Sequence, residues 1–382
     1  MKIQVRNEIM PYKKYSLPEY PVKLDMWDII SRDKRRIAVY GMGNGADKLF
    51  DRLSKYGRAP DAVFASDGFV RGHSFRGYEV TTLARVEEQF GEDFIILVSF
   101  ASSRPEVIDL IKGISEKHTV FIPDMPVAGE EYFDKDFFNS RYEEICKAYG
   151  SLADEDSKNL FAAMIRYKLF GSPEYIFNSF SSISDIYTLL PSDISAAVDA
   201  GAYNGDTAKE LISFRPEVER IYAIEPDRRN FRKLNKVISE QGLADRVIPY
   251  NFAVWSKDEE GSFIGSGNRN SSVSSTASHE NKKENVLLAR IDTLVKDKID
   301  YVKYDVEGAE LEALLGSSEL IERDRPALLV SAYHRSEDVF SLVNYLSEKY
   351  PFYRLFMRKT LCFPAWEIAI IAKAIENHLE IC

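Results

Sequence analysis

Short apolar runs alternate with amphipathic stretches in two separate series, and this alternation constrains the fold of the chain more than any other feature. The first series comprises a strand, glycine turn and helix at 36–57, strands at 61–66, 79–83, 94–100 and 119–123, and a helical pattern at 106–117. The second comprises strands at 196–200, 220–225, 246–251, 300–305 and 327–333, with a helical pattern at 230–242. Neighbouring parallel strands need a crossover, usually a helix, so the sequence predicts two parallel α/β sheets.

The division into domains follows from where this alternation stops. Between 124 and 190 the pattern is helical, strand candidates are absent, and 172–176 is a plausible break. A chain of 382 residues is also too long for one ordinary core. The sequence predicts an N-terminal α/β domain, a helical connector, a C-terminal α/β domain and a short tail, at 1–125, 126–190, 191–374 and 375–382.

The end of the C-terminal domain breaks the parallel pattern. The runs 352–357 and 366–372 read as two strands separated by a short turn, which leaves no room for a crossover helix. Strands joined in this way must be antiparallel. The sequence therefore predicts a mostly parallel sheet that ends in an antiparallel hairpin.

Composition excludes several classes of protein. The net charge of −10 argues against nonspecific binding of nucleic acid, which requires a basic excess. The longest apolar run, 94–101, is too short to span a bilayer, and the N-terminus lacks the apolar stretch of a signal peptide. The three cysteines, Cys146, Cys362 and Cys382, have neither metal-ligand spacing nor a disulfide pattern. We expect a soluble cytoplasmic protein without membrane insertion.

A stretch rich in glycine, serine and asparagine lies at 261–281, between two strands of the second series. Such composition is typical of a solvated surface loop. Its position inside the C-terminal domain also suits a flap that covers a substrate. The sequence leaves both interpretations open.

The segment AAVDAGAYNGDT at 196–207 reads as a buried strand that runs into a glycine-rich turn. The corresponding turn in dinucleotide-binding proteins holds pyrophosphate, which Asp199 and Asp206 would repel. S-adenosylmethionine carries a sulfonium and an ammonium group instead of phosphate, so carboxylates suit it. Gly201 and Gly205 allow the backbone to approach such a ligand closely.

The next two strands of the series also end in candidate cofactor contacts. Glu225 follows Gly201 by 24 residues, which places a carboxylate where it can accept hydrogen bonds from ribose hydroxyls. Phe252, Ala253 and Val254 follow the third strand and could line an adenine slot. Ordinary core packing explains these three side chains equally well.

Two later strand ends carry candidate catalytic groups. Asp305 and Glu307 are two residues apart, so they face the same side if the strand continues. Paired carboxylates can hold a cation, orient a hydroxyl or take a proton, although either could simply cap the following helix. His334 ends the fifth strand and is a candidate general base, although a lone histidine is more often structural.

These segments together resemble the FkbM family of S-adenosylmethionine-dependent methyltransferases. The resemblance rests on VDAGAYNGDT, AIEPD, NFAVW, YVKYDVEGAELEALLG and LLVSAYHR in this order, and it covers roughly residues 190–374. It implies an α/β protein with two Rossmann-like doubly wound domains, the C-terminal one a class I methyltransferase fold with a terminal antiparallel hairpin. The cofactor-binding set it implies is Asp199, Gly201, Tyr203, Gly205, Asp206, Thr207, Glu225, Pro226, Asp227, Phe252, Ala253 and Asp305.

The same resemblance implies O-methylation of a hydroxyl on a sugar, glycan or related metabolite. The acceptor oxygen would attack the methyl carbon in line with the carbon–sulfur bond, while the enzyme aligns the groups and excludes water. His334 is the first candidate for the base and Asp305 the second. A divalent metal bound by Asp305 and Glu307 could instead lower the pKa of the hydroxyl, and the sequence does not decide between these mechanisms.

The first series contains a second glycine motif. Gly41, Gly43 and Ala46 fit the dinucleotide pattern G-x-G-x-x-A, and Asp67 stands where an acidic residue would be expected. The N-terminal domain resembles the Rossmann-like domain of some sugar-modifying transferases. It could bind a nucleotide or nucleotide-sugar that presents the acceptor, or it could be a structural or homo-oligomerisation domain with a degenerate site.

Two other functions compete with methyl transfer. One is a non-catalytic scaffold that binds the cofactor or a partner. The other is a nucleotide-sugar oxidoreductase that uses the N-terminal domain, although no hydride-transfer site is evident beside its glycine motif.

Overall fold

The structure is a computed structural model, and it describes residues 13–70, 72–264, 272–274 and 283–375. Its first sheet has six strands in the order β3-β4-β2-β1-β5-β6, all parallel except β3, which pairs antiparallel with β4. The strands are β1 Ile37–Tyr40, β2 Ala62–Phe64, β3 Ser74–Phe75, β4 Tyr78–Thr81, β5 Ile95–Val98 and β6 Thr119–Phe121. The helices are α1 Met26–Arg32, α2 Asn44–Lys55, α3 Leu83–Phe90 and α4 Pro105–Lys117, and a 3-10 turn spans Asp67–Phe69.

The segment that follows is helical, as the sequence predicts. It contains α5 Lys135–Ser140, α6 Tyr142–Ser151, α7 Glu155–Phe170, α8 Pro173–Phe177 and α9 Ile183–Leu189. The break predicted at 172–176 is wrong, because Pro173 begins the short helix α8, where a proline costs no hydrogen bond. The chain turns instead at Gly171, which ends α7 with a left-handed backbone.

The remaining described chain forms two further sheets. The strands are β7 Ala196–Ala200, β8 Arg220–Ile224, β9 Val247–Tyr250, β10 Ala253–Val254, β11 Glu259–Ile264, β12 Ser272–Ser274, β13 Lys283–Ala289, β14 Tyr301–Tyr304, β15 Ala327–Ser331, β16 Tyr353–Lys359 and β17 Ile368–Ala374. The helices are α10 Asp206–Phe214, α11 Arg228–Glu240, α12 Ile291–Leu294, α13 Glu310–Leu315, α14 Ser318–Asp324 and α15 Asp338–Lys349.

The larger sheet has seven strands in the order β16-β17-β15-β14-β7-β8-β9. Five are parallel, whereas β17 is antiparallel to both β15 and β16, so the predicted α/β class and terminal hairpin are confirmed. The hairpin link is not a short turn, because the eight residues 360–367 separate its strands. The boundaries predicted for the four parts of the chain stay a prediction.

The smaller sheet was not predicted, and it replaces part of the expected polar loop. Strands β11 and β13 pair antiparallel, with β12 on one side and β10 on the other. The expectation of a loop is therefore wrong for 261–264 and 272–274, where backbone pairing overrides weak strand propensity. Residues 265–271 and 275–282 lie outside the described residues, as do 376–382 of the expected tail.

The largest of the hydrophobic clusters joins the two large sheets. It contains Tyr40 and Ile96 from the first sheet, Phe161 from α7, and Val302 and Val330 from the second. Helix α7 is buried along most of its length and packs on β16. In the described part of the chain, no helix combines the length and apolarity needed to cross a bilayer.

Candidate active site

The carboxyl ends of β7, β8, β14 and β15 meet at one edge of the seven-stranded sheet, which is where open α/β sheets bind ligands. A cavity of about 210 Å³ lies there, and we call it the central cavity. Of the residues predicted to bind cofactor or catalyse, all line it except Asp199 and Gly205. The carboxylate side chains in its lining are Asp206, Glu225, Asp227, Asp305, Glu307 and Glu367.

The glycine turn after β7 lies directly against the turn after β14. Gly201 has φ of +87°, and a Cβ atom there would lie 1.9 Å from the backbone oxygen of Asp305. Any side chain would push the two turns apart, so glycine is required by contact as well as by conformation. Tyr203 also has a positive φ, +47°, which is strained for a residue with a side chain and is typical of functional turns.

Glu225 is held in place by the backbone of both neighbouring turns. Its Oε2 accepts a hydrogen bond from Tyr203 N and its Oε1 accepts one from Asp227 N, both at 2.8 Å. Burial raises the pKa of Glu225 to about 7, and these two hydrogen bonds offset only part of that effect. The carboxylate is therefore fixed at the cavity wall and titrates near neutral pH.

Asp199 faces a second cavity instead of the central one. This helix-side cavity, of about 260 Å³, lies between α9 and the sheet and shares Thr207, Lys303, Asp305 and Glu367 with the central cavity. One carboxylate oxygen of Asp199 accepts a hydrogen bond from the Thr207 hydroxyl. The other, Oδ1, is buried without a hydrogen-bond partner among the described residues, and burial raises the pKa of Asp199.

Lys303 neutralises part of this negative charge. Its Nζ lies 3.6 Å from Asp199 Oδ1 and 3.3 Å from Asp305 Oδ2. Burial alone would raise the pKa of Asp305, but Lys303 and His334 outweigh it and hold the pKa below its ordinary value. Asp305 is therefore ionised at neutral pH, and it also accepts a hydrogen bond from the Tyr333 hydroxyl at 3.1 Å.

His334 lies at the end of the cavity between three carboxylates, with its side chain only 2% exposed. Its Nδ1 is 2.9 Å from Glu310 Oε1, although the two atoms are not aligned as a hydrogen bond. Its Nε2 is 3.6 Å from Asp305 Oδ1 and 3.5 Å from Glu307 Oε2. Burial opposes the charge of the ring, but Glu310 and the other two carboxylates raise the pKa of His334 to about 10.

The chain does not continue as a strand past Tyr304, so the pair Asp305 and Glu307 meets the cavity by way of a tight turn. Glu307 has φ of +54°, and neither carboxylate caps α13, whose N-cap is Ala309. Gly308 contacts the segment that follows β6, because a Cβ atom there would lie 2.5 Å from the Cβ of Ala128.

That segment reaches the candidate catalytic histidine directly. The backbone amides of Val127 and Ala128 both donate to the carbonyl oxygen of His334, at 2.9 and 2.8 Å. Val127 also lines the central cavity. The part of the chain between the two large sheets therefore forms one wall of the site.

A known protein family matches the part of the chain that forms this site. The family model described as the methyltransferase FkbM domain matches residues 199–360. The chain carries an FkbM methyltransferase domain. The resemblance read from the sequence is thus confirmed, and the matched segment contains almost every side chain of the site described above.

Three solved structures illustrate the similarity, and the first of them shares the fold of the chain. A methyltransferase FkbM from Methylobacillus flagellatus KT is 20% identical, with a TM-score of 0.66 and coverage of 94% of both chains. An rRNA methylase from Streptococcus thermophilus is 12% identical over 50% of this chain and 93% of its own, with a TM-score of 0.34. A methyltransferase from Streptococcus mutans in complex with SAH is 12% identical over 51% of this chain and 98% of its own, with a TM-score of 0.35. The search of curated proteins finds no match.

Several residues of the FkbM domain site were not predicted from the sequence. Glu310 was read only as part of a helix, although an acidic residue in a first helical turn directly after a strand-end pair is a usable signal. Lys303 is two residues before Asp305 in the predicted strand 300–305, so the alternation of that strand was a usable signal that the two side chains share a face. Trp366 and Glu367 come from the hairpin loop, and no local pattern indicates where such a loop folds back.

A metal ion could also be held here. Asp305, Glu310 and His334 each offer a ligand atom, and these atoms lie within 4.8 Å of one another. Two carboxylates and one imidazole suit several divalent ions. Lys303, whose ammonium group lies 3.3 Å from Asp305, would repel such an ion.

Proposed function

We propose that the protein is an S-adenosylmethionine-dependent O-methyltransferase that acts on a hydroxyl of a sugar, glycan or related metabolite in the cytoplasm. The observation that carries the proposal is His334, whose Nε2 faces the central cavity of a methyltransferase domain while Glu310 lies behind Nδ1. Transfer to oxygen needs a group that takes the hydroxyl proton, and a histidine backed by a carboxylate is suited to that task.

The residues present fit S-adenosylmethionine. Six carboxylates line the central cavity against Lys303 and His334 as cations, so the net potential favours a positively charged ligand. Glu225 is fixed where it can accept hydrogen bonds from a ribose, and Phe252 and Ala253 offer an apolar wall.

The chain's own residues then perform three tasks. When bound, S-adenosylmethionine supplies an electrophilic methyl group. Asp305 and Glu307, whose carboxylate oxygens lie 3.6 and 3.5 Å from His334 Nε2, orient the acceptor hydroxyl beside that nitrogen. His334 Nε2 takes the proton of that hydroxyl, and Glu310 holds the ring and stabilises the charge that the proton brings.

The charge of His334 decides when it can act as a base. With a pKa of about 10, the ring is protonated at neutral pH while the cavity is empty. A cation bound in the same cavity lowers this pKa, because two positive charges then lie close together. His334 therefore becomes competent as a base chiefly in the loaded site, which limits unproductive proton transfer.

The base mechanism and the metal mechanism make opposite predictions. A divalent ion at Asp305, Glu310 and His334 would lie beside Lys303 and beside a sulfonium group, which disfavours it electrostatically. We therefore expect methyl transfer to persist after treatment with EDTA. Loss of turnover that returns with added magnesium or manganese would instead establish the metal mechanism.

Calorimetric titration with S-adenosylhomocysteine tests the proposal first. We expect saturable binding that Glu225→Ala weakens at least tenfold, because the ribose loses a fixed acceptor. Glu219→Ala is the matched control, since Glu219 is exposed and adjoins the opposite end of β8. Absence of binding to the unaltered protein would reject both a methyltransferase and a cofactor-binding scaffold, and would leave a scaffold that binds only a partner or the oxidoreductase. Parallel titration with NAD tests the oxidoreductase alternative.

A further inference from the structure

A third cavity, of about 270 Å³, lies where the first sheet meets the hairpin loop of the second, and we call it the junction cavity. Its walls come from the start of α2, the carboxyl ends of β5 and β6, and the loop 360–367. It lies at the switch point of the first sheet, between β1 and β5, where open α/β sheets bind ligands. Its lining includes Lys48, Phe100, Pro126, Val127 and Trp366.

The junction cavity adjoins the central cavity. Val127 and Trp366 line both, so they form the boundary between them. The Nε1 of Trp366 is buried and finds no hydrogen-bond acceptor among the described residues. A buried donor without a partner is costly, and an oxygen of a molecule that passes this boundary would satisfy it.

The charges of the two cavities are opposite. None of the described residues that line the junction cavity is acidic, whereas six carboxylates line the central cavity. Lys48 is partly buried at its wall, and its Nζ donates to the carbonyl oxygen of Pro126 at 2.7 Å without a carboxylate partner among the described residues. The central cavity therefore favours a cation and the junction cavity an anion.

Hydrogen bonds also connect Lys48 to the backbone of His334, the residue that carries the candidate base. It hydrogen-bonds to Pro126, and the next amide, Val127 N, donates to the carbonyl oxygen of His334. Two hydrogen bonds and the peptide group between them separate Lys48 Nζ from that oxygen by no more than about 8 Å. Lys48 therefore lies near the residue that carries the candidate base, as an acceptor reaching both cavities would require.

Backbone and aromatic contacts join the segment after β5 to the hairpin loop 360–367 beside this cavity. Ser102 and Phe363 exchange two backbone hydrogen bonds, of 2.8 and 3.0 Å, and the rings of Phe100 and Phe363 lie 5.7 Å apart. The hairpin loop that carries Trp366 is thereby held against the first sheet. A preformed pocket at a domain junction, mostly apolar with a few polar groups, is a usual form for a small-molecule site.

We propose that the junction cavity is the acceptor site and that it binds a sugar carrying an anionic group, phosphate or carboxylate, which Lys48 recognises. The sugar ring packs between Phe100 and Trp366, and its reacting hydroxyl passes the boundary toward Asp305 and His334. The proposal rests on the proposed methyl transfer in the central cavity. It gives the N-terminal domain a direct part in choosing the acceptor.

Calorimetry with three matched sugars tests this site without any need for turnover. The full-length protein, saturated with S-adenosylhomocysteine, is titrated with glucose 6-phosphate, glucuronate and glucose at constant ionic strength. We expect at least one of the two anions to bind, and their relative affinities distinguish phosphate from carboxylate as the preferred group. Neutral glucose should bind at least tenfold more weakly. Lys48→Met should weaken the anion at least tenfold while leaving the affinity for S-adenosylhomocysteine unchanged, and Lys48→Arg should retain the anion.

Lys55→Met is the matched control, because Lys55 is exposed on the same helix. If neither anion binds, if Lys48→Met has no effect, or if the anion competes with S-adenosylhomocysteine, the acceptor-site proposal is rejected. If S-adenosylhomocysteine fails to bind the unaltered protein, the methyltransferase proposal is rejected, whatever the sugars do. The two failures are therefore distinguishable.

Discussion

At the scale of single residues, the site depends on charges that the fold forces close together. Glu225, Asp305 and His334 lie at the ends of different strands, and each has a pKa displaced from its ordinary value. Displaced pKa values that cluster in one cavity are typical of functional sites. They also make the affinity for the cofactor and the protonation of the candidate base depend on pH, and the direction of each dependence follows from the pKa shift.

Affinity for S-adenosylhomocysteine should rise with pH because of Glu225. Its pKa of about 7 means that the carboxyl is mostly protonated at pH 6 and mostly ionised at pH 8. The ionised form is the stronger acceptor for ribose hydroxyls, so we expect affinity to increase up to about tenfold over this range. Calorimetry at pH 6, 7 and 8 measures it. A rise that persists in Glu225→Gln would assign the dependence to another group.

The protonation of His334 should depend on Glu310. Glu310 contributes most to raising the pKa of His334, so Glu310→Gln should lower that pKa from about 10. Under the proposed mechanism the neutral ring is the active form, so the rate should rise with pH up to the pKa that the ring has in the loaded site, and this rise should move to lower pH in the variant. Nitrogen-15 NMR of the imidazole rings measures the shift directly. Glu312→Gln, on the same helix, is the control, and equal titration curves in all three proteins would contradict the proposed pairing.

The sequence was sufficient to predict most of the residues of the site but not which of them contact one another. Strand-end residues such as Glu225 and His334 could be predicted, because parallel strands bring their carboxyl ends to one edge. The contact between Glu310 and His334 could not, because it depends on the left-handed backbone at Glu307 and Gly308. The sequence predicts that Asp199 contacts the cofactor, whereas in the structure Asp199 lines the helix-side cavity and not the central one.

At the scale of elements, the site is assembled from turns that touch one another. The turn after β7 contacts the turn after β14 at Gly201, and the turn after β14 contacts the segment after β6 at Gly308. These contacts fix the distances between the candidate catalytic groups more tightly than loops without mutual contact would. The smaller sheet was missed at this scale, because strand pairing between β11 and β13 has no alternating apolar signature in the sequence.

Gly201→Ala should destabilise the protein more than an equivalent change at Gly242. Both glycines have a positive φ, so both variants incur a backbone strain of about 1 kcal/mol. A Cβ atom at Gly242 would meet nothing within 4 Å, whereas one at Gly201 would lie 1.9 Å from Asp305 O. We expect an additional loss of about 1–3 kcal/mol at Gly201. Melting temperatures of the two variants measure the difference, and equal values would show that the turns can separate freely.

At the scale of the whole molecule, the two large sheets share one hydrophobic cluster, which couples them. Helix α7 lies in that cluster, and Met357 N on β16 donates to its Ser157 hydroxyl at 2.8 Å. The sequence indicated the helices but not their burial, because the apolar residues of α7 surround the helix and do not mark one face. We expect the chain to unfold in a single calorimetric transition.

A buried ion pair between α7 and the segment after β6 allows the coupling between the two large sheets to be measured. Lys168 on α7 lies 2.7 Å from Asp124, just beyond β6, and both side chains are almost fully buried. Lys168→Met leaves a buried carboxylate without its partner, which costs about 3–5 kcal/mol. Lys147→Met is the matched control, because its pair with Glu348 also joins distant segments but is exposed, and exposed pairs contribute about 0–1 kcal/mol.

Calorimetric scans of both variants distinguish a shared core from two separate ones. If the core is shared, Lys168→Met lowers the temperature of the whole transition and keeps it single. The unpaired carboxylate of Asp124 then destabilises both sheets together. Two separated transitions, of which only one moves, would show that the sheets unfold independently. The junction cavity would then lie between mobile parts, and the contacts between Ser102 and Phe363 would have to form anew on binding an acceptor.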